Sequence, residues 1–154
     1  MAVSDNIVWF GRYEGWLRWL CRGVRDGDPD CIDKAARLFA LMLPDRCFVV
    51  PMPSHTGRAD AMLRVARGVL GDGRMRIMCD FLSCRPHEPS YAQKKAGWIP
   101  DRIVMTAERA LTGAPVYIID NVVCTGVTAA AALEAFRAKG VEAKVCTLAR
   151  AVWR

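Results

Sequence analysis

The sequence predicts a single α/β domain: a mostly parallel five-strand sheet flanked by helices, with an N-terminal helical extension. Three observations carry that expectation. Short apolar runs alternate with stretches of helical periodicity from Cys47 to the end of the chain. Parallel strands joined in this order need right-handed helical crossovers. Three loops that follow apolar runs, Pro51 to Arg58, Ser83 to Asp101 and Asp120 to Thr128, carry polar side chains with Gly or Pro. They belong at the carboxyl edge of the strands, where open parallel sheets bind ligands.

The elements follow in order. Asn6 to Val24 places Trp9, Tyr13, Trp16, Leu17 and Leu20 at helical spacing, with Arg18, Arg22 and Arg25 on another face, and so predicts a helix despite Gly11 and Gly15. Its tryptophans, Trp9, Trp16 and Trp19, suit a packing or dimer face better than a ligand platform. The turn Gly27 to Asp30 closes this helix, and Asp30 is the expected cap of a second one, Cys31 to Leu43. Cys47 to Val50 reads as a strand and Pro51 to Gly57 as a turn-rich loop. Arg58 to Leu70 reads as a helix with Met62, Val65, Ala66 and Val69 inward. Met75 to Cys79 is a strand, Ser83 to Asp101 a polar segment without a core pattern, and Ile103 to Met105 a short strand. Val116 to Asn121 is a strand, Thr128 to Lys139 a helix that Gly140 caps, and Ala143 to Leu148 the last strand.

Composition narrows the class. A chain of 154 residues with 53% hydrophobic and 25% charged residues buries a core of its own without staples. No apolar run approaches the roughly 18 residues that span a bilayer. The opening MAVSDN lacks the order of a signal peptide, so a cytoplasmic location is expected. Seven cysteines with no Cys-x-x-Cys pair read as reduced thiols used as small hydrophobes, and two histidines, His55 and His87, give no zinc-finger spacing. The net charge of +6 fits a nucleic-acid surface, a pocket for a polyanionic small molecule, or a solvated basic surface. The arginines (Arg12, Arg18, Arg22, Arg25, Arg64, Arg67, Arg74, Arg76) are scattered rather than blocked.

The segment Val116 to Thr128, VYIIDNVVCTGVT, holds the most chemistry. A buried strand delivers an acid and an amide, then a Thr-Gly turn, to the N-terminus of a helix. Small residues let backbone N–H groups converge on a phosphate, Gly126 admits a left-handed conformation, and Thr125 and Thr128 add hydroxyl donors. On these residues the segment resembles the phosphoribosyl-pyrophosphate (PRPP) motif of type I phosphoribosyltransferases: four apolar residues, two acids, three residues, Thr-Gly-x-Thr. VVPMPSHTGR, Val49 to Arg58, resembles the loop that cradles pyrophosphate in that family, and its Pro-x-Pro-x-His order is most like ComF-type members. Pro89, Ser90, Gln93 and Lys94 resemble a stretch of the mobile loop of ComF-like proteins.

The resemblance covers Phe48 to Ala151 and implies a single phosphoribosyltransferase-like domain. Residues 1–45 would be N-terminal helices, a reduced hood or dimer face, and residues 46–151 the PRPP-binding core. The implied activity is that of a pentosyltransferase, moving ribose 5-phosphate between pyrophosphate and a nitrogen base or amine. The implied cofactor is Mg²⁺, held at Asp120 directly or through water, and the implied assembly is a homodimer without membrane contact. The implied catalytic positions are Asp120, Asn121, Lys94 and Arg85. Cys124, Thr125, Gly126, Val127 and Thr128 would take the 5′-phosphate, and Ser54, His55, Arg58 and Lys95 the pyrophosphate. Asn121 stands where the family has its second acid: an amide accepts one bond and carries no charge. Cys124 stands where 6-oxopurine salvage members place a carboxylate, which argues against hypoxanthine or guanine. Trp98 and Trp153 suit packing or stacking on a base. Two other readings stay open, a non-catalytic PRPP- or nucleotide-binding regulator and a ComF-like nucleic-acid-associated protein.

Overall fold

The computed structural model describes residues 2–4, 6–57, 59–89 and 103–152. Among them, eight strands and four α-helices form a single α/β domain. The strands are β1 (Ala2–Ser4), β2 (Ile7–Arg12), β3 (Arg46–Pro51), β4 (Met75–Met78), β5 (Leu82–Cys84), β6 (Met105–Ala107), β7 (Val116–Val123) and β8 (Ala143–Arg150). The helices are α1 (Gly15–Arg25), α2 (Pro29–Met42), α3 (Asp60–Val69) and α4 (Val127–Arg137). The main sheet has the order β1-β2-β8-β7-β3-β4. Five of its strands are parallel, as expected, and β1 pairs antiparallel to β2 at one edge.

The membership of that sheet corrects the reading of the first and middle segments. Ile7–Arg12 is a strand, not the start of a helix, and lies parallel to β8 with Ile7 opposite Val145 and Arg12 opposite Arg150. The run IVWFGR is rich in β-branched and aromatic residues, and Gly11 gives it little helical preference. At Gly11 an added Cβ would sit 2.7 Å from Leu17 Cδ1, so the glycine lets α1 fold close against its own strand. The N-terminal helices are therefore no appendage: the sheet itself begins before residue 45. The expected strand Ile103 to Met105 forms two residues later as β6 and pairs antiparallel with β5 in a separate ribbon, Leu82 opposite Ala107. Ser83 to Asp101 accordingly starts inside a strand, with Leu82 and Cys84 buried.

Helix termini follow their caps. Asp28, not Asp30, caps α2: its Oδ1 accepts the Cys31 N–H at 2.9 Å and Pro29 takes the first helical position. Past α4, Gly140 adopts φ +75° so that Val141 N–H reaches the Phe136 carbonyl at 3.0 Å, the glycine-ended closure expected there.

Apolar layers cover both faces of the sheet. α1, α2 and α3 cover one, where Leu20, Val24, Phe39 and Val65 meet Val49, Ile119 and Leu148. α4 and the β5–β6 ribbon cover the other, where Phe136, Ala132 and Leu82 meet Val50, Ile118 and Val145. Ile118 and Ile119 are both fully buried, as a strand at the centre of a two-faced parallel sheet requires. All seven cysteines are free thiols, and all but Cys124 are buried.

Arg76, which the sequence groups with scattered surface arginines, is instead only 6% exposed. Its guanidinium donates to the carbonyls of Ala40 (2.8 Å), Leu43 (2.7 Å) and Pro44 (3.0 Å), where the end of α2 leaves acceptors unpaired. Arg76→Met should therefore lower unfolding free energy by about 3 kcal/mol in urea titration, because carbonyls are orphaned as well as bonds lost. A loss under about 0.5 kcal/mol would show that solvent satisfies them.

Candidate functional site

The site is placed by a parting of strands. β3 and β7 pair up to Pro51 and Ile119, and then separate. From β3 the chain passes through α3 outward to β4, while from β7 it passes through α4 to β8 in the opposite direction. The two crossover helices lie on opposite faces, so a crevice opens between the carboxyl ends of β3 and β7. β7 itself continues along β8 as far as Val123 opposite Arg150, which carries Asp120 and Asn121 along its open flank.

A cleft of about 950 Å³ fills this crevice. Met52 to Thr56 form one wall, Asp60, Ala61 and Arg64 of α3 another, and Arg25 to Gly27 between α1 and α2 a third. Asp120 and Asn121 line it from β7, and Pro89 reaches it from the segment after β5. The turn after β3 is held internally: Ser54 and Thr56 hydroxyls lie 2.7 Å apart, and Gly57 N–H donates to the Ser54 carbonyl at 2.9 Å. Gly57 has φ +86°, and an added Cβ there would lie 2.8 Å from the Cys84 carbonyl oxygen. Only glycine lets this turn seat against the strand-end of β5.

Asp120 keeps part of its surface, yet burial pushes its carboxyl up to about 6, against the lowering effect of the Asn121 N–H that it accepts at 2.7 Å. Asn121 has a defined task. Its Nδ2 donates to the Cys21 carbonyl of α1 at 2.7 Å, and the Cys21 thiol lies 3.9 Å from the Asn121 carbonyl oxygen. Burial, and secondarily the Asp120 charge, pushes the Cys21 thiol up to about 12, so it stays protonated. Asn121 Oδ1 is buried with no hydrogen-bond partner among the described residues.

The Thr-Gly turn opens elsewhere. Val123, Cys124, Thr125 and Gly126 line a small pocket of about 140 Å³ with Ile7 and Trp9 of β2 and Arg150 of β8. Gly126 caps α4 at φ +84°, and Val127 N–H makes a long 3.4 Å contact to Thr125 Oγ1. The first-turn amides of α4 have no intrahelical carbonyl to bond. Arg150 lies 4.6 Å from the Trp9 ring centroid, a cation held over an aromatic face beside this turn.

Of the sequence-derived site residues, Asp120, Asn121, Ser54 and His55 share the cleft, whereas Cys124, Thr125 and Gly126 line the separate pocket. Val127 is exposed and Thr128 half-buried at the start of α4. Arg85 is exposed after β5, its N–H bonded to the Val104 carbonyl, and it does not line the cleft. Arg58, Ser90, Gln93, Lys94, Lys95, Trp98 and Trp153 lie outside the described residues. Trp16 and Trp19 stand more than half exposed on α1. Sequence reasoning missed Arg150, Arg64 and His87. Arg150 had a readable signal, its place at the carboxyl end of the last strand. Arg64, which donates to the Gly27 carbonyl at 3.2 Å, and His87 had none, because their neighbours are distant in sequence.

No protein-family model matches the chain, and neither does any curated protein. Among solved structures it is similar to a purine phosphoribosyltransferase from Pyrococcus horikoshii, at 20% identity over 95% of this chain and 79% of that one, with a TM-score of 0.47. No helix among the described residues is long and apolar enough to cross a membrane.

Two outcomes follow from the Asp120–Asn121 pair. A carboxyl raised from its ordinary 3.8 to about 6 binds more protons folded than unfolded between those values, so it costs stability as pH climbs through that window. Asp120→Asn keeps an acceptor for the Asn121 N–H. It should therefore be more stable than wild type at pH 8 and equal to it near pH 3.5, read by metal-free urea unfolding. Equal stability at both pH values would refute the desolvated carboxylate. Asn121→Asp replaces the donor to the Cys21 carbonyl with a carboxylate beside Asp120, and should cost on the order of 2–3 kcal/mol at pH 7.5. Unchanged stability would show that the amide tie carries nothing.

Proposed function

We propose that this chain binds PRPP and works as a phosphoribosyltransferase on a nitrogenous acceptor. The observation that carries the reading is the convergence of Ser54, His55 and Asp120 on one cleft at the switch point of the sheet, with the Thr-Gly turn following directly from the strand that carries Asp120. Those are the two loops whose sequences resemble the pyrophosphate and PRPP loops of the family. In this reading the Thr-Gly turn takes the 5′-phosphate on its backbone amides and the α4 N-terminus, with Arg150 alongside. Asp120 accepts a ribose hydroxyl, and the 52–56 wall takes the diphosphate.

The reaction breaks the C1–oxygen bond to pyrophosphate as a nitrogen lone pair forms the C1–N bond, through an oxocarbenium-like transition state. The protein's part is to hold both partners in line and to neutralise the departing charge. Mg²⁺ would fit here, since one or two carboxylates together with substrate phosphates suffice to hold such an ion. When bound it supplies charge neutralisation on the diphosphate. Asp120 is the residue to hold it, directly or through water.

One observation favours a second reading, a PRPP- or nucleotide-binding regulator without turnover. Asn121 spends its amide donor on the Cys21 carbonyl, so Asp120 is left as the acid of the pair. Titration calorimetry with PRPP and Mg²⁺ tests both readings. Saturable binding that weakens at least tenfold in Asp120→Asn is expected, and no saturable binding would remove both. Pyrophosphate release across a panel of bases, amines and ammonia then separates enzyme from regulator.

A further inference from the structure

The chain has two histidines, 32 residues apart, and the fold brings His87 up against His55, which lines the cleft. Their ring centroids lie 6.5 Å apart at an interplanar angle of 66°. The backbone fixes the pairing, since His87 N–H donates to the His55 carbonyl at 2.9 Å and Gly57 lets the two segments close on each other. His55 lines the cleft, and so does Pro89, two residues beyond His87. His87 Nδ1 lies 2.8 Å from the Glu88 carbonyl oxygen. A carbonyl only accepts, so Nδ1 carries the proton and Nε2 is the nitrogen left over. Among the described residues, Nε2 of His87 and both ring nitrogens of His55 have no hydrogen-bond partner.

We propose that His55 and His87 form a paired-imidazole site for a diphosphate group, and that His87 takes up a proton as the diphosphate binds. The proposal rests on the PRPP reading and adds to it a residue and a proton. Neutral His87 would present a lone pair to a phosphoryl oxygen, which repels; protonated at Nε2 it donates a charge-assisted bond. Each ring reaches about 4 Å from its centroid to a bonded oxygen, so 6.5 Å suits one phosphoryl group held from two sides.

The other charges around the pair come from every wall. Arg85 and Glu88 lie on the His87 segment, Asp60 and Arg64 on α3, Arg25 and Asp26 between α1 and α2, and Asp120 on β7. Arg25 and Asp26 pair with each other at 3.3 Å. The sign is therefore set by the ligand: added negative charge raises both imidazoles, and affinity for diphosphate rises as pH falls through their range.

The test uses the full chain and inorganic pyrophosphate. With two histidines, the imidazole Cε1–H resonances are assigned by one variant each, His55→Asn and His87→Asn. Asparagine at 87 retains a donor for the Glu88 carbonyl while removing the titrating nitrogen, and unchanged melting temperatures confirm folding. Saturating pyrophosphate should raise both imidazole pKa values by about one unit, each shift corresponding to a tenfold gain in affinity on acidification. His87→Asn should weaken pyrophosphate binding about tenfold at pH 6 and under twofold at pH 8.5. Pyrophosphate that binds while the His87 resonance titrates unchanged, or a loss in His87→Asn that is equal at both pH values, would overturn the paired site and leave the PRPP reading standing. Absence of both pyrophosphate and PRPP binding would overturn that reading and this proposal together.

Discussion

The parting of β3 and β7 beyond Pro51 and Ile119 is the constraint on which the rest depends. Up to that pair the strands share a ladder and their side chains fill two apolar layers. Beyond it the chain leaves in opposite directions, because right-handed crossovers send α3 and α4 to opposite faces. The crevice is thus a consequence of topology, and two of its walls are the residues that follow the last paired positions. Asp120 and Asn121 come directly after Ile119, and Met52 to Thr56 directly after Pro51.

A crevice alone would be loose, and three hydrogen bonds tighten it. Asn121 Nδ2 ties β7 to the Cys21 carbonyl, so the end of α1 and the turn after it stand at a fixed distance from Asp120. Arg64 reaches from α3 to the Gly27 carbonyl and joins the same turn to the far wall. His87 N–H to the His55 carbonyl ties the segment after β5 to the turn after β3. These bonds join residues 32 to 100 positions apart, with Asn121 and Cys21 the most widely separated. The cleft walls are therefore coupled to one another by Arg64 and His87, and to the sheet by Asn121.

The same facts explain how far the sequence could be read. Val116 to Thr128 was legible because its meaning is local: a run of apolar residues, a polar pair and a glycine turn specify strand, edge and cap without reference to distant partners. Ile7–Arg12 was not, because Trp9, Tyr13 and Trp16 happen to fall at helical spacing while the deciding interaction is a parallel ladder with β8, more than 130 residues away. Arg76 was misplaced for a related reason. An arginine among surface-type neighbours gives no hint that three carbonyls at the end of α2 await it. Asn121 looked like a weakened acid when viewed beside Asp120, and only the approach of α1 reveals the donor role that an acid could not fill.

The local costs also fall together. Asp120 is a carboxyl whose pKa burial raises to about 6, and Asn121 Oδ1 is a buried acceptor with no partner among the described residues. Neither improves the fold: one is a charge and the other a lone pair that an apolar core would dispense with. Elsewhere the chain obeys the ordinary rules, with Asp28 capping α2, Gly140 closing α4 and apolar side chains filling both faces of the sheet. Sequences that are consistent at every other level tend to break local rules where a ligand repays the cost. The placing of these two breaks side by side at the carboxyl end of β7 argues that this edge is shaped for something other than stability.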